Sequence, residues 1–321
     1  MNLPRYDNPP DLLPAMASWP QTRHIFEPDH ILALRAAEAA GRPLLVQGDP
    51  GTGKSQLAHA AAVAARRRFL PFVVDARTEA TDVMWRFDAV ARLADAHLAS
   101  VPGSGVASGL DASVYIQPGP MWWAFNWGSA MAQVARARVK AAVPEAPPAD
   151  FDWRPASGTV LLIDEIDKAE AEVPNGLLEV LGNGRFTVPL LGAEAIVRPD
   201  DCPAPLVIVT TNDERELPAA FLRRCLVLTL RLPDGDRLIR YLVDRGQLHF
   251  PEFHQAHPEV LEDTAGLLLD DRRQAEQAGV YVPGLAEYLD LLRALSQIGG
   301  EPTDHLTTLR QFTFRKQPGL V

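Results

Sequence analysis

Leu44-Leu45-Val46-Gln47-Gly48-Asp49-Pro50-Gly51-Thr52-Gly53-Lys54-Ser55 is a short apolar strand that runs into a complete phosphate-binding loop. The pattern requires Gly48, four free positions and then Gly53-Lys54-Ser55, and each fixed residue has a physical task. Glycines let the backbone turn tightly and bring successive N–H groups against phosphate oxygens without a Cβ in the way. Lys54 supplies a point charge for the β- and γ-phosphates, and the Ser55 hydroxyl suits Mg²⁺. The following Gln56–Ala65 is alanine-rich, so the loop opens a helix whose positive N-terminal end faces the phosphates. Strand, loop and helix come in the required order. The nucleoside triphosphate is therefore expected on Gly48, Asp49, Pro50, Gly51, Thr52, Gly53, Lys54, Ser55 and Gln56.

Two further apolar runs complete the constellation. Thr159-Val160-Leu161-Leu162-Ile163 reads as a strand covered on both faces and ends in Asp164-Glu165. Carboxylates at the carboxyl end of such a strand stand where open α/β sheets bind ligands. Asp164 is expected, with Ser55, in the Mg²⁺ shell, and Glu165 is placed to polarise the water that attacks the γ-phosphate. The plainer alternative is that both acids start the next helix. Pro205-Leu206-Val207-Ile208-Val209-Thr210-Thr211-Asn212 is another central strand, with an amide at its tip that can orient that water. A turn-forming Asn is the bland reading there. Leu217-Pro218-Ala219-Ala220-Phe221-Leu222-Arg223-Arg224-Cys225 is a proline-started helix ending in two arginines. They either complement the helix dipole or reach across a subunit boundary to a neighbour's γ-phosphate.

Taken together, these stretches resemble the Walker A, Walker B, sensor 1 and arginine-finger elements of an AAA+ ATPase, and more narrowly its MoxR-like, dynein-related branch. Asp82–Leu93, Tyr115-Ile116-Gln117-Pro118-Gly119-Pro120 and Leu177–Phe186 are similar to the segment after that branch's second strand, its helix-2 insert, and its helix and hairpin after Walker B. The resemblance runs from about residue 25 to the C-terminus. It implies an α/β P-loop NTPase fold, a parallel sheet flanked by helices, with a smaller C-terminal helical lid. It implies ATP and Mg²⁺ as ligands, catalytic roles for Glu165, Asn212, Arg223 and Arg224, and a homo-oligomer, usually a hexameric ring. Protein clients follow by the same resemblance, among them metal-binding or von Willebrand A-domain partners. One position departs from the pattern: where many lids carry a sensor 2 arginine, this chain has Ala286-Glu287, and Arg293 two turns on is better suited to the surface.

Composition bears on the competing classes. The 321 residues exceed one average domain, and 47% hydrophobic content gives the means for a large core. Lys plus Arg is 31 against 41 acidic residues, a balance of −10, which disfavours broad binding to nucleic acid. A nucleic-acid motor of restriction or translocase type shares the motifs but not that charge preference. A nucleotide-switched scaffold would not need Glu165 and the arginines, and a small-molecule kinase would not need Asn212 with a trans arginine. A GTPase lacks support, since Asn212-Asp213 is followed by Glu214 rather than by a guanine-reading pattern. No stretch has the length of a transmembrane helix and the N-terminus lacks the regions of a signal peptide, so a cytoplasmic location is expected. Cys202 and Cys225 lack metal spacing and read as reduced and structural.

Along the chain, residues 1–22 are proline-rich and read as an irregular tail, 23–233 as the α/β ATPase domain and 234–321 as the helical lid. Ile31–Ala40 reads as a helix before the first strand, with His24, Ile25 and Phe26 near the adenine or, for Phe26, packed under that helix. Phe72-Val73-Val74-Asp75 reads as the second strand. Ser100–Gly109 has a flexible loop's composition, and Pro144–Asp150 that of a linker. Met121–Trp127 holds three of the six tryptophans. Helix or strand geometry splits them between faces; packing is the expectation and an exposed anchor the alternative. His249, His254 and His257 with Glu252 match no zinc spacing and read as solvated lid residues. Leu309–Lys316 is a final amphipathic element or a tail.

Overall fold

The computed structural model describes residues 12–16, 19–100, 111–149, 151–153, 158–298 and 300–315. Contacts divide the chain into two compact units. The first takes in Phe26–Val46, Leu57–Leu228 and the described residues up to Gln21. The second takes in Thr22–Ile25, Gln47–Gln56 and the described residues from Thr229 onward.

Five strands form a parallel sheet: β1 (Leu44–Gly48), β2 (Arg68–Val73), β3 (Thr159–Asp164), β4 (Leu206–Thr211) and β5 (Leu226–Leu230), in the order β5-β1-β4-β3-β2. Leu206 lies opposite Val160 and Val209 opposite Ile163, while Arg68 pairs with Thr159 and Val73 with Asp164. Every residue of β3 and β4 is buried, which accounts for their unbroken apolar runs. Parallel order places the carboxyl ends of the strands, and so Asp164 and Asn212, on one edge of the sheet.

The second strand begins four residues earlier than Phe72. Charge hides its start: Arg67, just before the strand, is buried against Glu38 at 3.0 Å, and the guanidinium of Arg68, its first residue, lies over the rings of Trp127 (3.6 Å) and Trp153 (4.5 Å). Such stacking lets an arginine stem enter a core while its cation keeps an electrostatic partner. Helix α1 (Pro28–Ala40) likewise starts ahead of Ile31, because Pro28 suits the first helical turn, and Gly41 ends it in the left-handed region (φ +61°). Helix α2 (Lys54–Ala65) buries Leu57, Ala58, Ala60, Ala61 and Ala62.

Part of the proline-rich start is packed rather than loose. Leu13 and Met16 are buried, and Trp19 sets its edge against Phe69 (5.4 Å) and His59 (5.9 Å). The tryptophan cluster also resolves to packing. In α3 (Pro120–Phe125) Met121, Trp122, Trp123, Ala124 and Phe125 are all buried. The Trp122 indole donates to Ser129 Oγ at 2.6 Å, and Trp127 opens α4 (Trp127–Arg136) with its ring 4.7 Å from that of Trp123. Gly119 before α3 is required sterically, since a Cβ there would stand 2.6 Å from the Asp82 carbonyl oxygen. Val101–Gly109 and Asp150, parts of the expected loop and linker, lie outside the described residues; Pro144–Ala149 is neither helix nor strand.

The second unit carries α5 (Asp236–His249), the short helix Pro251–Ala256, α6 (Pro258–Ala278), α7 (Leu285–Ile298) and α8 (Pro302–Thr313). Leu238, Leu242, Leu261, Leu268, Tyr288, Leu291, Leu292 and Leu306 form its core. Of the Leu309–Lys316 segment, Leu309–Thr313 complete α8, and Lys316 lies outside the described residues. Asp271 on α6, 1% exposed, accepts both ends of the Arg310 fork (2.6 and 2.8 Å) and Arg315 at 3.0 Å, and Phe314 is buried. His249 departs from a solvated reading. Burial, then the neighbouring charges of Arg293, Arg23 and Arg245, hold its pKa down to about 4. Among the described residues no helix is long and apolar enough to cross a membrane.

Candidate active site

In the second unit the phosphate loop leaves β1 with three glycines in the left-handed half of backbone space: Gly48 (φ +141°), Gly51 (φ +75°) and Gly53 (φ +92°). At Gly48 a Cβ would come 2.1 Å from the Leu230 carbonyl oxygen, so the tight turn and the strand beside it exclude any other residue. Lys54 opens α2 with its ammonium folded over the loop, donating to the Gly48 and Asp49 carbonyls at 2.7 and 2.8 Å. Thr52 Oγ1 braces the same turn through the Asp49 carbonyl (2.9 Å). The Gln56 side chain faces elsewhere, donating to Thr22 Oγ1 (3.0 Å) and the Arg23 carbonyl (2.8 Å). Those bonds lie within the loop's own unit, which also holds His24 and Ile25 of the stretch expected near the base, while Phe26 belongs to the first unit.

The start of α7 also belongs here. A Cβ on Gly51 would meet Ala286 Cβ at 3.0 Å, and one on Gly284 would meet the Pro50 carbonyl at 3.6 Å. Glu287 is turned inward as a cap, accepting from the Gly284 N–H (2.9 Å) and the Tyr281 hydroxyl (2.7 Å). At the position where a basic residue is absent, Ala286 stands close to the loop backbone at Gly51, and Glu287 caps the helix start.

In the first unit the tips of β3 and β4 form a polar centre. Asp164 Oδ1 accepts from the Thr210 hydroxyl at 2.6 Å, and that hydroxyl accepts from the Glu165 N–H at 2.8 Å. Glu165 takes a left-handed conformation (φ +59°, ψ +51°), unusual outside glycine and costing about 1–3 kcal/mol. Its carboxylate meets the Asn212 amide at 3.2 Å and the Lys168 ammonium at 2.5 Å. The hydrogen bond to Glu165 raises the Lys168 pKa. Asp167, 2% exposed, accepts from the Asn212 and Glu214 N–H groups at 3.0 Å each and fixes the turn after β4. Thus Asp164, Glu165 and Asn212 are brought together. Thr210, Asp167 and Lys168, unassigned from sequence, hold them; the Asp-Glu-x-x-Lys spacing was the available signal for Lys168.

The two arginines differ. Both are exposed at the end of the helical turn Ala219–Leu222, but Arg224 Nη1 bonds back to the Ala220 carbonyl at 3.2 Å. No partner engages the Arg223 guanidinium among the described residues. Cys202 and Cys225 are free thiols, and burial pushes Cys225 up to about 11, so it is inert. Ser55 and Asp164 offer hydroxyl and carboxylate oxygens, the hard donors Mg²⁺ prefers. Among the described residues no group of three or more His, Cys, Asp or Glu could hold a metal ion.

A parallel sheet with this loop on one strand and carboxylates at the tip of another defines a P-loop nucleotide-binding protein of the α/β class. The AAA domain (dynein-related subfamily) matches residues 43–225, and the chain belongs to that family. ATP binding and, at the level of the family, ATP hydrolysis come with that membership. Among solved structures, a candidate ATPase from Cytophaga hutchinsonii is similar at 15% identity over 89% of this chain and 80% of that one, with a TM-score of 0.37. No curated protein matches the chain.

Proposed function

We propose that the protein is a MoxR-type ATPase that assembles into a ring, hexameric by the family's habit, and uses hydrolysis to remodel partner proteins. The observation that carries the hydrolytic part is the pairing of Glu165 with Asn212 at 3.2 Å, which sets a carboxylate base beside a water-orienting amide. In this reading the loop N–H groups and Lys54 hold the β- and γ-phosphates, exchanging the loop carbonyls for phosphate oxygens. Ser55 and Asp164 hold Mg²⁺, which when bound neutralises charge on the phosphates. Glu165 takes the proton of the attacking water while Asn212 orients it. Water oxygen bonds to the γ-phosphorus, the bond to the β–γ bridging oxygen breaks, and ADP leaves with that electron pair.

Arg223 from an adjoining copy then neutralises the transition state. Its exposed, unengaged guanidinium supports that choice over Arg224, which is tied to its own helix. Replacing an arginine finger in well-studied GTPases costs roughly 10³–10⁵ in rate. Arg223→Ala is therefore expected to keep ATP binding and lose turnover, and Arg224→Ala to lose far less. Equal turnover in both variants, or a purified chain whose mass does not change with ATP and that stays monomeric, would contradict the reading. The client is a protein surface, and the −10 balance stands against a nucleic-acid track.

A further inference from the structure

Arg42 stands in the three-residue connector between α1 and β1, remote in sequence from the two arginines, yet its side chain is spent on them. Its Nε donates to the Arg224 carbonyl at 3.2 Å and its Nη2 donates to the Arg223 carbonyl. The connector is itself fixed in three ways. Gly41 takes its left-handed turn, the Arg42 N–H donates to the Ala37 carbonyl (3.0 Å), and the Pro43 carbonyl accepts from the Leu226 N–H (2.9 Å). Carbonyls at the end of a helical turn have no intrahelical donor, and a cation suits that end. A planar guanidinium can serve two of them at once, which an ammonium cannot do with the same geometry.

We propose that Arg42 is a positioning residue for hydrolysis: it fixes the backbone from which Arg223 is presented to the triphosphate of a neighbouring copy. The proposal rests on the shared-centre reading above. The backbone at and just after Arg223 and Arg224 is then tied to one connector, by the Arg42 fork at residues 223 and 224 and by Pro43 at residue 226. That connector leads straight into the strand carrying the phosphate loop. Arg42 is exposed and borders a cavity of about 160 Å³, so truncating it lets water reach the released carbonyls, and folding should survive.

The test uses the full chain and mixed assemblies. Arg42→Ala alone should lower kcat about tenfold or more while nucleotide affinity stays within about twofold. Arg42→Lys, which keeps the charge without the fork, should fall between. Mixing Arg42→Ala with Glu165→Gln should restore turnover, because the second variant cannot hydrolyse its own ATP but offers a correctly held Arg223 to its neighbour. A defect confined to the Arg42→Ala protomer's own fold would not be rescued this way. Arg223→Ala mixed with Glu165→Gln is the control. If that control restores turnover and the Arg42→Ala mixture does not, or if Arg42→Ala alone hydrolyses ATP within about twofold of the parent, Arg42 does not position the finger. If the control itself fails, the shared centre is wrong and the proposal goes with it. Should Arg42→Ala fail to fold, Arg42→Lys carries the same comparison.

Discussion

Thr210 shows how few atoms set the geometry at the residue scale. Its hydroxyl is fully buried, gives its proton to Asp164 and accepts the Glu165 N–H, and so joins the two carboxylate residues while Glu165 sits in a strained conformation. Thr210→Val keeps the shape and deletes both bonds. We expect a stability loss of about 1–3 kcal/mol, the cost of leaving buried partners unpaired, together with a fall in kcat. Denaturant titration and steady-state turnover check both. Glu165→Gln keeps the amide contact but removes the base, and should bind ATP while turnover falls by about two orders of magnitude or more. Lys54→Ala should instead weaken nucleotide binding itself. The sequence made Glu165 and Asn212 legible because they stand at the ends of unbroken apolar runs. Thr210 and Asp167 were hidden, because a threonine inside a strand and a second acid in an acidic turn carry no local signature.

At the scale of elements, the phosphate loop is shaped by what lies behind it. Both positions have a positive φ that strains an alanine, but Gly48→Ala adds a 2.1 Å approach to the Leu230 carbonyl, whereas Gly53→Ala meets nothing closer than 3.8 Å. The first substitution should abolish nucleotide binding or folding, and the second should do less, as thermal unfolding with and without ATP would show. Ala286→Arg, which inserts the basic residue other lids carry, should weaken ATP binding through collision with Gly51. Tighter binding would overturn that expectation. In the helical unit Asp271→Ala leaves Arg310 and Arg315 without their buried partner and should cost roughly 3–5 kcal/mol. The strands β3 and β4 were plain in the sequence, since a strand buried on both faces is apolar throughout. The start of β2 was not, because Arg67 and Arg68 read as surface until Glu38 and two tryptophan rings are seen to receive them.

At the scale of the whole molecule, two histidines with lowered pKa lead us to expect a fold that loses stability in acid. His59 is fully buried and stacked on Phe69 at 5.1 Å, and burial holds its pKa at about 4 against a partial pull upward from the Pro14 carbonyl. His249 is lowered to the same range in the other unit. Both bind a proton more readily unfolded, near pH 6.5, than folded. Stability should therefore be complete above about pH 6.5 and fall as pH drops toward 4, with a slope from His59 of up to about 1.4 kcal/mol per unit. Denaturation at pH 7, 6 and 5 reads this, and His59→Phe should flatten part of the slope. The AAA family was legible because ordered motifs specify it. The packed start around Leu13, Met16 and Trp19 was not, since proline content masks burial.

In the proposed ring, hydrolysis depends on Arg223 serving the triphosphate of another copy. A solved structure of the Glu165→Gln assembly with ATP measures this directly. The Arg223 guanidinium should lie within hydrogen-bond reach of the γ-phosphate held by a neighbouring copy's Lys54. A guanidinium far from every bound triphosphate, or turned to its own chain's nucleotide, would contradict it.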